Sequence, residues 1–323
     1  MLTHLLKTKQ ISVATSYIKD NKFDIHAKDY ENESPITCAS ELGYYDIVEM
    51  LIAKGAYVFD VAYMKRQPLH KACSGGHLDI VKLLITHGAD IFEKDQIGFD
   101  ALVTAVQSGR ENVVDYLLSI GADPNYKLKS YVYDGYTPLM MAVTTEHANS
   151  RIVQKLINVG ADMNYTSALG LSALHLVVDV GNIMFVLLLL QNGADPNLQN
   201  RFGVTPLFLA AVQNKSDIIE FLIQYGARVN DKNWFGLTPL NNVVIFQKSE
   251  ANLKTVRQLL FAGADPNIQD SQGKTALHNT FCPLVKETLE RWSATKAMIV
   301  LNKMQLDWCM DYDFWTDIQD FTK

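Results

Sequence analysis

The chain has 323 residues, of which 48% are hydrophobic, and a formal net charge of −6. This charge argues against nucleic-acid binding, which requires a basic face. The longest apolar run, Ile183 to Leu190, has eight residues, far fewer than the roughly 20 of a membrane span. Because the N-terminus also lacks the apolar stretch of a signal peptide, we expect a soluble chain without membrane insertion.

The cysteines are far apart and form no C-x-x-C pair. They are Cys38, Cys73, Cys282 and Cys309. Isolated cysteines of this kind are typical of reduced thiols in an intracellular protein rather than of disulfides or a metal site. We therefore expect a cytoplasmic protein, with the nucleus as an alternative, that holds no metal ion.

Two short motifs recur in phase along the chain. The first is Gly-Ala, often continued as Gly-Ala-Asp, and it begins at Gly55, Gly88, Gly121, Gly160, Gly193, Gly226 and Gly263. The second is a Ser, Thr or Asp followed by Pro or Ala and then Leu, as in Thr137-Pro-Leu-Met. The Gly-Ala intervals of 33, 33, 39, 33, 33 and 37 residues indicate a repeat array, in which stacked units share one continuous core.

Each unit of this array is predicted to contain two helices and a turn. Ser, Thr or Asp caps the first helix, Pro suits its first turn, and only Gln67 lacks a good capping side chain. A Gly or Asn then ends the first helix, as at Gly76 and Asn214. A second amphipathic helix follows, such as residues 77–85, and the glycine of Gly-Ala ends it. Another glycine two residues before the next cap, as at Gly170, indicates a tight projecting turn with positive φ.

The cap motif and the period of 33 residues resemble the ankyrin repeat family, whose signature is Thr-Pro-Leu-His-x-Ala. The resemblance implies an all-α solenoid of stacked helix-turn-helix units with projecting β-turn loops. It covers residues 29–303 as eight repeats, the last one degenerate, and makes residues 1–28 an N-terminal capping half-repeat. It also implies a structural hydrogen-bonding role for His70, His175 and His278 rather than a catalytic one.

Three places depart from the 33-residue spacing. Four extra residues enlarge the projecting turn around residues 127–134, two lie between the helices near residues 145–150, and four lie near residues 247–253. Surface loops tolerate such insertions at little cost. An insertion on the projecting-turn side can also serve binding, because the binding faces of repeat arrays often carry insertions.

The C-terminal segment, residues 304–323, carries five aspartates interleaved with aromatic residues. One interpretation is a C-terminal cap, whose aromatic side chains cover the last repeat while the acids face water. The other interpretation is an acidic-aromatic docking segment for another protein. The segment matches no SOCS box, F-box or other ubiquitin-ligase adaptor motif, and both interpretations stay open.

The chain contains no motif that indicates catalysis. The H-E-x-x-H, P-loop, G-x-S-x-G and dinucleotide-binding glycine patterns are absent from the sequence. The acidic residues sit mostly at loop positions tied to the repeat, so no pair stands out as general acid and base. We therefore expect no enzyme activity, no cofactor and no small-molecule substrate.

Two sets of positions are left free by the repeat. One is the tip of each projecting turn, four and three residues before the cap, and the other is the inner face of the first helix, which the resemblance places along a concave groove. Candidate protein-binding residues in these sets are Tyr63, Met141, Leu176, Phe202, Leu209, Val212, Trp234, Phe235, Ile245 and Phe246. Exposed apolar clusters are uncommon unless they bind something, although the helix residues can instead pack between units.

These positions predict a non-catalytic scaffold that binds a partner protein of unknown identity. The alternatives are a substrate-recruiting adaptor of a ubiquitin-ligase-type complex and a pathogen or viral ankyrin effector. The resemblance also implies asparaginyl hydroxylation in the Asp-x-Asn turns, with Asn125, Asn164, Asn197 and Asn267 as candidates. The default role of these asparagines is turn hydrogen bonding.

Overall fold

The computed structural model describes residues 1–20, 23–246 and 252–292, without the side chain of Phe246. Within these ranges the chain forms helices and turns and no strand, which confirms the predicted all-α class. The predicted C-terminal segment, residues 304–323, and most of the insertion near residues 247–253 lie outside the described residues.

The helices follow one another in pairs. Two short helices come first, α1 (Leu2–Lys7) and α2 (Ile11–Lys19). The first helices of the repeats are α3 (Pro35–Leu42), α5 (Pro68–Gly75), α7 (Ala101–Gln107), α9 (Pro138–Thr144), α11 (Ala173–Val180), α13 (Pro206–Val212), α15 (Pro239–Phe246) and α17 (Ala276–Asn279). The second helices are α4 (Tyr45–Ala53), α6 (Leu78–Thr86), α8 (Glu111–Ser119), α10 (Ser150–Asn158), α12 (Ile183–Gln191), α14 (Ser216–Gln224) and α16 (Leu253–Phe261). Residues 283–292 are also helical.

The chain divides into two compact units. The first consists of Met1–Ala210 together with Glu220–Arg228, and the second consists of Ala211–Ile219 together with Val229–Lys323. The division expected from the sequence, with boundaries at residues 28 and 303, stays a prediction.

In the first unit, consecutive first helices from α3 to α11 pack side by side, and each packs against its own second helix. The leucine of the cap motif lies in this core, so Leu69, Leu102 and Leu139 are all buried. The second helices add one apolar stripe each, such as Ile80 and Leu84 of α6. Burying each such side chain contributes about 1.5–3 kcal/mol, and every repeat therefore depends on its neighbours for stability.

The first helices end where the sequence predicts. Gly76 follows α5 with a φ of 83°, and Asn214 follows α13 with a φ of 54°. Glycine adopts this left-handed conformation freely and asparagine is the side chain that tolerates it best, so both residues stop a helix.

His175 joins its own cap motif to the next projecting turn. Its Nδ1 atom accepts a hydrogen bond from the Ser172 N–H at 3.1 Å, and its Nε2 atom donates to the Val204 carbonyl at 3.0 Å. Burial lowers the pKa of His175 below the usual histidine value, which favours the neutral ring that both contacts need. The side chain therefore has the structural role that the resemblance implies.

His70 makes the corresponding link nearer the N-terminus, between the cap motif of α5 and the projecting turn that follows α6. Its Nδ1 atom accepts from the Gln67 N–H at 3.2 Å, and its Nε2 atom lies 3.1 Å from the Phe99 carbonyl. Gln67 completes a capping box with His70, so the expectation that this unit lacks a good capping side chain is wrong.

In the second unit, α15 packs against α16 and α17. Asn241 occupies the position that His70 and His175 hold in the first unit. Its Oδ1 atom accepts from the Thr238 hydroxyl at 2.8 Å, and its Nδ2 atom donates to the Ile268 carbonyl at 3.1 Å. An asparagine can therefore provide the same link without a titratable ring.

At the N-terminus, α1 packs against α3 and ends in Lys7. The Lys7 ammonium lies 2.8 Å from Asp29, 2.5 Å from Glu31 and 3.1 Å from Glu33. The three carboxylates lie close enough together for a cation site, and in this fold a lysine ammonium is the cation that they share. Lys71 adds a second ammonium at 2.5 Å from Glu33. The cluster thus stabilises the contact between α1 and the first projecting turn.

Candidate protein-binding surface

Within each unit the projecting turns form a surface that we call the turn-side surface of that unit. It comprises the two tip residues of each turn together with the position four residues after the glycine of Gly-Ala, which we call the ladder position. Of the tip residues predicted to bind, Tyr63 and Phe202 are exposed in the first unit. Trp234 and Phe235 are exposed in the second unit, with 72% and 65% of their surface accessible. The structure therefore presents all four aromatic side chains to solvent.

Backbone contacts fix the tips relative to one another. In the first unit, the Ala168 N–H donates to the Asp134 carbonyl and the Arg201 N–H donates to the Leu169 carbonyl, both at 3.1 Å. In the second unit, the Ser271 N–H donates to the Phe235 carbonyl at the same distance. Because successive tips are hydrogen-bonded through the backbone, the exposed side chains are held on a preformed surface within each unit.

Gly170 shows why six of the eight projecting turns have a glycine two residues before the cap. Its φ is 75°, and a Cβ atom placed on it would lie 2.7 Å from the Arg201 nitrogen. A side chain would therefore collide with the backbone of the next tip. At Gly273, in the last projecting turn described, the φ is also 75°, but none of the described residues places an atom within 4 Å of such a Cβ.

Asparagine at the ladder position connects consecutive repeats. Asn164 donates from Nδ2 to the Gly193 carbonyl at 3.4 Å and accepts at Oδ1 from the Asp195 N–H at 2.8 Å. Asn125 and Asn197 make the same pair of contacts with the repeats that follow them.

Asn230 makes this link in the second unit, to Gly263 and Asp265. It was missed in the sequence because its turn reads Arg228-Val229-Asn230 instead of Asp-x-Asn. Among the described residues, the side chain of Asn267 hydrogen-bonds within its own turn, to Asp265 at 3.2 Å, and to no following repeat. Hydroxylation at any of the four candidate asparagines stays a prediction.

Aromatic residues replace asparagine at the ladder position in the first repeats. Phe59 and Phe92 hold this position, and His26 holds it in the N-terminal segment. His26 stacks on Tyr57 with ring centroids 4.3 Å apart, and Tyr57 stacks on Phe59 at 5.5 Å. Tyr57, Phe59 and Phe92 are exposed. The sequence signal for this aromatic strip was available, because the position is fixed by counting four residues from Gly55 and Gly88.

The enlarged projecting turn around residues 127–134 is an ordered hairpin. Leu128 is buried, and it exchanges hydrogen bonds of 2.8 Å with Tyr136 and Gly135. The hairpin leaves Tyr131 and Val132 exposed at its end. The insertion therefore adds an apolar projection to the turn-side surface of the first unit.

The groove residues divide into two groups. Met141 and Leu176 are buried, so the expectation that these two face solvent is wrong. The physical reason is that α9 and α11 pack against each other and against neighbouring helices, which covers most of each first helix. Leu209, Val212 and Ile245 are partly exposed. The side chain of Phe246 lies outside what the structure describes.

Cys38 and Cys73 are buried thiols. Burial raises the pKa of Cys38 to about 12, and it raises the pKa of the fully buried Cys73 as well. A thiol acts as a nucleophile only as its thiolate, so these two cysteines are inert core residues.

A family model for ankyrin repeats matches residues 59–128, 121–200, 139–233 and 174–270. The chain belongs to the ankyrin repeat family. Among solved structures, it is similar to the ankyrin repeat domain of Bcl-3, described as a unique member of the IkappaB protein family. That match has a TM-score of 0.61 and 26% identity, and it covers 70% of this chain and 98% of the other.

No curated protein matches the chain. Within the described ranges, every helix of this ankyrin repeat protein is too short or too polar to cross a membrane. Members of the family generally serve as non-catalytic interaction modules, and the fold supports protein partners for this one.

Proposed function

We propose that this ankyrin repeat protein is a non-catalytic scaffold that binds a partner protein through its turn-side surface and the adjoining groove. The observation that carries the proposal is the set of exposed aromatic side chains on turns whose backbones are hydrogen-bonded to one another. Large aromatic residues are the commonest binding hot spots, and a solvated aromatic surface on this scale is uncommon without a partner.

The rigidity of the turns supports the same function. A partner that docks on the tips does not have to order them, because the bonds from Ala168 and Arg201 to the preceding tips already do so. Binding to a preformed surface avoids much of the entropic cost of association. Leu209, Val212 and Ile245, which are partly exposed, would extend the contact from the tips toward the first helices.

Surface variants confined to one unit each test the proposal. We would compare Tyr63→Ser/Phe202→Ser in the first unit with Trp234→Ser/Phe235→Ser in the second unit. The matched control is Asp46→Ser/Glu49→Ser, which changes two exposed residues of the second helix α4. Circular dichroism would establish that all three variants keep their helical content.

Quantitative affinity capture with mass spectrometry gives the readout. We expect the same partner proteins to be recovered with the wild type and the α4 control, and to be depleted at least about fivefold with one or both turn variants. Full recovery of every partner with both turn variants would contradict the proposal.

A further inference from the structure

The second helix α12 differs from the other second helices on its solvent side. The second and fifth residues of the other six described second helices are all polar, namely Asp46/Glu49, Asp79/Lys82, Asn112/Asp115, Arg151/Gln154, Asp217/Glu220 and Lys254/Arg257. In α12 these two positions are held by Met184 and Leu187. Met184 is 71% exposed, and Ile183 beside it is exposed as well. Of the apolar run from Ile183 to Leu190, four residues are therefore buried in the core, namely Phe185, Val186, Leu189 and Leu190.

Of the apolar residues of α12, Ile183 and Met184 are exposed, and Leu187 and Leu188 are partly exposed. Met184, Leu187 and Leu188 are spaced three and four residues apart, which places them on the same side of the helix. The opposite side is occupied by Phe185, Val186 and Leu189, all buried in the first unit. Because Phe185, Val186 and Leu189 already provide the apolar stripe of the core, the exposed Met184 is not part of the core of its own repeat.

Charged residues flank this apolar side of α12 with opposite signs. The preceding second helix, α10, carries Arg151 and Lys155 and no acidic residue. On the other side lies the part of α14 that belongs to the first unit, with Glu220 exposed at its start. The order of these helices follows from the asparagine ladder, in which Asn164 links to Gly193 after α12 and Asn197 links to Gly226 after α14.

A face with this pattern is complementary to itself. Rotating a second copy by 180° about an axis parallel to α12 places one apolar side on the other and brings Arg151 of each copy opposite Glu220 of its partner. Arg151 contacts Glu111 at 3.5 Å in its own chain, but 78% of its side chain is exposed, so the guanidinium has room for a second carboxylate. We propose that the α12 face is an interface between two copies of this chain, and this inference does not depend on the proposed partner-binding function.

The size of the face sets the strength of the contact. Helices α10 and α12 have nine residues each and are therefore about 13 Å long, and the first unit adds residues 220–224 of α14. The area that they can bury is below the roughly 800 Å² per partner of a standard interface. The dimer is accordingly a weak one, which forms as the protein concentration rises.

Sedimentation equilibrium of the full chain over a wide concentration range tests this interface. We expect a reversible dimer for the wild type and at least about tenfold weaker association for Met184→Glu/Leu187→Glu, since each charge would be buried unpaired. The control is Lys254→Gln/Arg257→Gln, at the equivalent second and fifth positions of α16. It lowers the net charge by the same amount as the Met184/Leu187 variant, and it should associate like the wild type. Circular dichroism would establish that each variant is folded.

A charge exchange distinguishes this arrangement from any other apolar association. Arg151→Glu alone and Glu220→Arg alone should each weaken the dimer, because both contacts become repulsive. Mixing these two single variants should restore association, since Glu at 151 then faces Arg at 220 and the native pair remains on the other side. A wild-type chain that stays monomeric at all concentrations, a dimer unaffected by the Met184/Leu187 variant, or a mixture that fails to associate would each overturn the proposal.

Discussion

The turns that follow Gly55 and Gly88 differ from those that follow Gly121, Gly160 and Gly193 at the ladder position. In the later turns an asparagine donates one hydrogen bond to the next repeat and accepts another. In the earlier turns Phe59 and Phe92 hold this position, and their side chains are exposed. The same backbone site therefore stabilises the stack in one region and enlarges the exposed aromatic surface in the other.

The largest effect in this comparison is expected at the tip glycines. Gly170→Ala should destabilise the protein by about 1–2 kcal/mol for the left-handed conformation and by about 1–3 kcal/mol more for the collision with Arg201. Gly273→Ala is the matched control, because it has the same φ of 75° and no described residue lies within 4 Å of the new Cβ. Denaturant unfolding measures both variants. Equal losses would show that the next tip exerts no steric constraint.

The asparagine ladder is the next test. Asn164→Ala removes both hydrogen bonds to the next repeat, and we expect a loss of about 1–2 kcal/mol in the free energy of unfolding. Among the described contacts, Asn267→Ala removes one side-chain hydrogen bond, to Asp265 of the same turn, and its loss should be below about 0.5 kcal/mol. If both variants lost the same stability, the link between repeats would not be the source of the effect.

A smaller effect is expected from the buried histidines. Burial lowers the pKa of His175, so the unfolded chain takes up its proton first as the pH falls. The stability that depends on the neutral ring is therefore complete above the unfolded value of about 6.5 and is lost as the pH falls below it.

His175→Asn should reduce this pH dependence, because Asn241 already makes the same link at the corresponding position of the second unit. Melting temperatures of the variant and the wild type, compared at pH 7.5 and 5.5, measure the difference. Asp100 acts in the opposite sense, since burial raises its pKa to about 6, but it is common to both proteins and cancels in the comparison. An unchanged pH dependence in the variant would contradict the assignment to His175.

Local motifs predicted the fold because each one acts within a few residues. A cap such as Ser172 and a stop such as Gly76 can be recognised without knowledge of their neighbours. The exposure of first-helix residues could not be predicted in this way, because it depends on which side chains pack from the adjacent repeats. Met141 was expected in the groove for its apolar character, yet helices on both sides bury it.

The aromatic strip and the α12 face were missed for a related reason. Phe59 is unusual only in relation to the link that asparagine makes in later repeats. The sequence marks the position, but it does not show the hydrogen bonds that asparagine makes there. Met184 likewise is unusual only once the solvent-facing positions of the second helices are known. In both cases the repeat provides its own reference, since each position can be compared with its equivalents along the chain.

The central claim is that the ladder position serves the stack when it holds asparagine and the binding surface when it holds an aromatic residue. The double variant Phe59→Asn/Phe92→Asn tests it directly, because asparagine at these sites can bond to Gly88 and Asp90, and to Gly121 and Asp123. We would measure its free energy of unfolding and its capture of the partner proteins recovered by the wild type. We predict a gain of about 0.5–1 kcal/mol in stability together with a loss of at least about fivefold in capture. Reduced stability, or capture equal to that of the wild type, would contradict the account.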